Sequence, residues 1–169
     1  MLVPAGWALD AAAAEPSPAT VWAVRCPAGH LTDAAAPLCR VCRAPVDPRD
    51  KIEVRRPVLG VLRLPDGGEV PLDGDVLVGR RPSSQAAPGA APRLVTVEGQ
   101  GGVSARHLEF VLDGWTVGVR DLGSTNGTVI TRPFEPAQRL TAFELVAIEP
   151  GTRVTLAGEA TVVFEADQA

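Results

Sequence analysis

The sequence predicts an all-β fold, a sandwich of two sheets preceded by a small cysteine-bearing segment, and three observations carry that reading. Short runs rich in Val, Leu and Ile recur from Val58 to Glu165, each closed by turn residues. Asp-Gly dipeptides stand at 66–67, 73–74 and 113–114, where glycine supplies the positive φ of a tight turn. No stretch keeps the 3.6-residue apolar period of an amphipathic helix.

The runs fall in order at Val58–Leu64, Asp75–Gly79, Arg93–Val97, His107–Leu112, Trp115–Arg120, Thr128–Thr131, Leu145–Ile148, Arg153–Leu156 and Thr161–Glu165. Many short strands at regular spacing read as a sandwich. Two segments break the rhythm, Arg81–Pro92 and Glu98–Gly102, and both read as long surface loops of the kind that carry binding function. Phe110 and Trp115 are expected in the core. Ahead of this β-rich part, which we bound at 57–169, composition divides the chain three ways. Residues 1–20 form an Ala/Pro-rich lead-in expected to be flexible, 21–46 hold all three cysteines, and 47–56 are a charged connector.

With 169 residues the chain holds one ordinary domain and a small appendage. Its net charge of −4 argues against a general nucleic-acid binder, which needs a basic face. Every basic residue except Lys51 is arginine. This bias, with abundant Ala, Pro, Gly and Val, reads as a high-GC bacterial genome, and it also suits bidentate recognition of phosphate. No run approaches the roughly 18 to 20 apolar residues of a membrane span, and Met1–Ala14 lacks the basic start of a signal peptide. An odd cysteine count without an export signal points to a reducing cytoplasm, with a metal or free thiols.

Cys26-x3-His30 and Cys39-x2-Cys42, eight residues apart, supply four ligands in two close pairs. Three thiolates and an imidazole suit tetrahedral zinc, so the segment resembles a zinc ribbon of the Cys3His kind. Four protein ligands close the coordination shell, which makes the expected Zn2+ structural. A segment this short builds little apolar core, so metal binding would supply its folding energy. A Cys39–Cys42 redox pair and plain buried thiols are the alternatives, with Asp33 as a substitute for His30. Leu31 follows His30, and no H-x-E sequence of a zinc deaminase occurs.

Three islands remain: Gly79-Arg80 at the end of one run, Ser104-Ala-Arg-His107 at the start of another, and Ser124-Thr-Asn-Gly-Thr128 between two more. Their order and spacing resemble the signature of the forkhead-associated (FHA) domain over about residues 57–165. The resemblance implies an FHA-type β-sandwich that binds phosphothreonine peptides through loops at one end, without catalysis. It implies phosphate contacts from Arg80, Ser104 and Thr125, a peptide-backbone contact from Asn126, and architectural roles for Gly79, His107 and Gly127. The residue after the serine, commonly Arg or Asn in that family, is Ala105, which leaves Arg106 or Arg81 as a substitute. The chemistry agrees independently, because a phosphate dianion wants convergent guanidinium, hydroxyl and amide donors. Ser104 and His107 lack the G-x-S-x-G setting of a hydrolase nucleophile. The expected function is an adaptor for a partner phosphorylated by a Ser/Thr kinase. The alternative is a phosphate-independent assembly module that uses both folds as scaffolds.

Overall fold

A computed structural model describes residues 7–9, 19–85, 91–97 and 101–167. Within the lead-in, β1 (Trp7–Leu9) is a strand on the edge of the main domain, and residues 1–6 and 10–18 lie outside the described residues. The cysteine-bearing segment contributes β2 (Thr20–Arg25) and β3 (Leu31–Asp33), and the charged connector contributes β4 (Ile52–Arg55). These three form one antiparallel sheet in the order β3-β2-β4. A 3-10 turn at Pro48–Asp50 leads into β4, capped by the Asp47 carboxylate, which accepts from the Arg49 N–H at 2.9 Å.

The main domain continues with β5 (Gly60–Arg63), β6 (Glu69–Pro71), β7 (Val76–Gly79), β8 (Arg93–Val97) and β9 (Leu108–Asp113). It ends with β10 (Thr116–Asp121), β11 (Thr128–Thr131), β12 (Gln138–Arg139), β13 (Val146–Ile148), β14 (Arg153–Leu156) and β15 (Ala160–Ala166). Two sheets result, ordered β1-β8-β7-β9-β10-β13 and β12-β11-β14-β15-β5-β6. Strands β7 and β8 run parallel, so their connection must cross from one end of the sheet to the other. That crossing is the first expected long loop, of which residues 86–90 lie outside the described set.

Alternation explains how the sheets close on each other. Leu108, Phe110 and Leu112 of β9 point inward, as do Ala160, Val162 and Phe164 of β15, while their neighbours face outward. Phe110, Leu62, Leu72, Ile130 and Leu156 lie within the one core. All nine runs read from the sequence are strands, shifted by a residue or two at their ends. Strands β6 and β12 have no such signal. They are edge strands of three and two residues, too short for an alternation to register, although Val70 of β6 is buried. Among the described residues there is no α-helix, and no helix is long and apolar enough to cross a membrane.

The N-terminal sheet meets the sandwich at Trp115, which is only partly buried and packs at the rim of the core. Its indole N–H donates to the Trp22 carbonyl at 3.0 Å, and the Arg40 guanidinium stands 5.5 Å from its ring centroid. Phe110, by contrast, is completely enclosed. Replacing Phe110 by alanine should lower the unfolding free energy by about 3–5 kcal/mol, the usual cost of an aromatic-sized cavity, measured by urea denaturation.

Candidate functional site

The site begins where β7 outruns its partner strand and pairs with a loop instead. The Arg80 N–H donates to the Ser104 carbonyl at 2.9 Å and the Arg81 N–H to the Ala105 carbonyl at 3.0 Å, while the His107 N–H donates back to Val78 at 2.9 Å. The two backbones lie so close at Gly79 that any Cβ there would overlap the Ala105 carbonyl and stand 2.7 Å from its carbon. Glycine is therefore required at 79 by close approach, with its φ in the ordinary range. The same pairing leaves the side chains of Arg80, Ala105 and Arg106 exposed.

His107 locks this loop to a second one. Its ring is fully buried: Nδ1 accepts from the Ser104 N–H at 3.1 Å, and Nε2 lies 3.0 Å from the Gly127 carbonyl. An accepting Nδ1 places the ring proton on Nε2, which donates to Gly127. Burial pushes the imidazole below its usual 6.5, against the opposing influence of the Gly127 carbonyl and the Asp121 carboxylate. The ring is thus neutral and committed at both nitrogens, leaving no lone pair to act as a base on the Ser104 hydroxyl.

The second loop, residues 122–127, is built around Asp121. One carboxylate oxygen accepts from the Gly123 and Ser124 N–H groups at 2.9 and 2.8 Å. The other accepts from the Ser124 and Thr128 hydroxyls, both at 2.6 Å. Burial would raise this carboxyl, but the bonds from Ser124 and Thr128 outweigh it and hold Asp121 below its usual value. The Ser124 hydroxyl accepts from the Gly127 N–H at 3.0 Å, and Gly127 takes φ +79°, a conformation that favours glycine. The loop then reaches across to the first: the Thr125 N–H donates to the Ser104 hydroxyl at 3.0 Å and the Asn126 amide to the Gly102 carbonyl at 2.9 Å.

Arg80, Ser104, Thr125 and Asn126 therefore converge at one end of the sandwich, tied together by their own backbone and hydroxyl groups. Gly79, His107 and Gly127 hold that convergence from beneath. Arg106 is exposed beside the group, and among the described residues no hydrogen bond or ion pair ties its side chain to it.

At the other module, Cys26, His30, Cys39 and Cys42 bring their ligand atoms within 4.8 Å of one another. A tetrahedron with zinc–sulfur bonds of about 2.3 Å has sulfur–sulfur edges of about 3.8 Å, and its sulfur–nitrogen edges are about 3.5 Å. The Cys42–Cys26 separation is 3.7 Å, and His30 Nδ1 stands 3.4 Å from Cys26 and 3.8 Å from Cys39. No disulfide joins these three cysteines. Burial resists ionisation of Cys39, but the backbone groups of Cys42 and Val41, with the Cys42 and Cys26 thiols, outweigh it and lower that thiol to about 6. At Cys42 the Ala44 backbone favours the thiolate, yet burial and the two neighbouring sulfurs prevail and push it up. Donor set and edge lengths both fit a tetrahedral metal.

Comparison with known proteins bears on the sandwich. Residues 76–157 match the family model of the FHA domain. An FHA structure from a structural and functional analysis of phosphothreonine-dependent FHA domain interactions is 28% identical, covering 64% of this chain and 97% of that one, with a TM-score of 0.44. The FHA domain of human APLF, in complex with a bisphospho peptide, is 18% identical over 64% of this chain and 99% of its own, with a TM-score of 0.49. Mycobacterium tuberculosis EmbR, in complex with a low affinity phosphopeptide, is 18% identical with a TM-score of 0.51. It covers 68% of this chain, which spans 26% of EmbR, and the likeness is one of fold. No curated protein matches.

Three residues that brace these loops were given no role by sequence reasoning. Asp121 looks like an ordinary acidic residue at a strand end, and Ser124 and Thr128 look like further polar loop positions. Their signal was spacing, since an aspartate three residues before a serine favours a turn closed on its own backbone. Stability should fall as pH drops from 7 to 5, because a buried His107 whose proton affinity is depressed leaves the unfolded chain binding more protons below 6.5. In urea titrations at stepped pH, His107→Asn should be less stable at pH 7 and lose less on acidification.

Proposed function

We propose that this chain is a phosphothreonine-dependent adaptor in which the FHA-type loops grip phosphate and the cysteine segment is a structural zinc module. The observation that carries the reading is the convergence of the exposed Arg80 guanidinium, the Ser104 hydroxyl and the Thr125–Asn126 turn on one rim. Each of these groups has a donor suited to a phosphate oxygen, and none is activated for chemistry. The FHA match over 76–157 supports the same reading. Arg80, Ser104 and Thr125 would contact the phosphate, Asn126 the peptide backbone, and Arg106 would compensate for Ala105. The partner would be a cytoplasmic protein phosphorylated by a Ser/Thr kinase.

Binding without turnover follows from His107. A serine nucleophile needs a neighbouring base with a free nitrogen, and both nitrogens here are spent on Ser104 N–H and Gly127. The scaffold alternative, in which both modules assemble a complex without phosphate, predicts indifference to phosphorylation and to Arg80.

Calorimetric titration should show micromolar binding of a phosphothreonine peptide selected from a degenerate library, and none of its unphosphorylated form. Arg80→Ala should weaken binding roughly 10- to 100-fold, the loss of one charge-assisted contact of about 1.5–3 kcal/mol. Equal affinity for both peptides, or for wild type and Arg80→Ala, would establish the scaffold reading instead. For the metal, native mass spectrometry should find one zinc per chain, absent in Cys39→Ser. Intact protein with three alkylatable thiols and no metal would overturn the zinc assignment.

A further inference from the structure

Most arginines of the sandwich fall into two sets; Arg153 on β14, opposite Thr131, has neither a carboxylate partner among the described residues nor a place at the candidate site. Arg63, Arg93, Arg120 and Arg132 each pair with a carboxylate: Arg63 with Glu69 and Glu165, Arg93 with Asp73, Arg120 with Glu109, and Arg132 with Glu135. Arg80, Arg81 and Arg106 have no carboxylate partner among the described residues, and all three border the candidate site. A fourth such arginine, Arg139, borders it too, although it lies far from the three islands in sequence.

Arg139 sits on β12, the edge strand opposite Val129 of β11. Its neighbour Leu140 donates to the Thr128 carbonyl at 2.9 Å, so the β12 backbone runs alongside the end of the 122–127 loop. The guanidinium folds over Gly127. A Cβ at 127 would stand 2.7 Å from Arg139 Cζ, so the charge occupies the space that this glycine leaves open. Asn126, the residue expected to hold the peptide backbone, immediately precedes Gly127. An exposed cation is thereby parked beside Gly127, one residue beyond the amide expected to grip the backbone. Phe143 provides a contrast. It fills the space over Gly123 in the same loop, its ring 2.8 Å from where a Cβ would be, and its own N–H is bonded to the Asp121 carbonyl. It is a packing group with no charge to offer. Glu159 is the acidic counterweight on this rim, and its carboxylate already accepts from the Gly102 N–H at 3.2 Å.

We propose that Arg139 is a specificity-determining residue that selects an acidic side chain flanking the phosphothreonine in the bound peptide. The proposal rests on the phosphopeptide reading above and extends it to a second subsite. A solvent-accessible guanidinium with no internal partner keeps its full attraction for a ligand carboxylate, whereas the four paired arginines are already satisfied. The contact would be formed at the solvent boundary, so it sharpens choice among phosphopeptides more than it adds to affinity.

The test profiles the full-length chain on a degenerate phosphothreonine peptide library, then titrates the best peptide and versions with Asp, Ala or Lys at each flanking position. Wild type should favour Asp over Ala at one flanking position by roughly fivefold, the upper range for an exposed ion pair. Arg139→Ala should erase that preference and Arg139→Glu should turn it toward Lys. Both variants should keep phosphate dependence and an unchanged melting temperature, since the side chain is exposed. An acidic preference that persists in Arg139→Ala would overturn the proposal. So would a basic preference that disappears in Glu159→Gln, which would assign selection to Glu159. Loss of all phosphothreonine binding in wild type would remove the parent reading and this one together. The other two results leave phosphate-dependent binding intact, so the two failures are distinguishable.

Discussion

The imidazole of His107 is enclosed on every side, accepts a hydrogen bond from one loop and donates one to the next. Those two bonds fix the separation between the Ser104 backbone and the Gly127 backbone, and with it the distance between the two donor sets facing solvent. The arrangement requires the ring to be neutral, because a second ring proton would meet the Ser104 N–H head on. Burial supplies that neutrality, at the cost of tying the geometry of the binding end to pH. The close backbone approach at Gly79 and the Asp121-centred turn are then two further braces on loops whose spacing the histidine has set.

The N-terminal module meets the sandwich at one side chain in particular. Trp115 donates to Trp22 in β2 and lies beneath Arg40, the residue following Cys39. Arg40 in turn donates to the Leu31 carbonyl at 3.0 Å. Cysteine cluster, arginine, indole and sandwich therefore form one continuous chain of contacts. A cleft of about 310 Å³ opens beside that seam, lined by Val41, Ile148 and Phe164 among others.

Much of this was legible in the sequence, because the signals were local. Alternation gave the strands of β9 and β15, turn dipeptides gave their ends, and the three islands marked the loops that meet. Spacing alone grouped Cys26, His30, Cys39 and Cys42, since each pair sits on one short turn. What sequence reading missed was what depends on register between distant strands. Trp115 reads as core by its hydrophobicity, but its position in the turn just before β10 puts it at the rim. Arg139 carries no motif; only the pairing of β12 with β11 brings it to Gly127. Strand β4 was hidden in a charged connector because three of its four residues are exposed.

Asp121 gives the binding loop two unlike faces. Inside, a carboxylate absorbs the Gly123 and Ser124 N–H groups and the Ser124 and Thr128 hydroxyls. Outside, Thr125 and Asn126 are what the turn still has to give. The rim is therefore a fringe of cations and amides laid over an anionic floor. Four donors of its own loop already bind that floor, so its charge is spent inward and the groups above it face solvent.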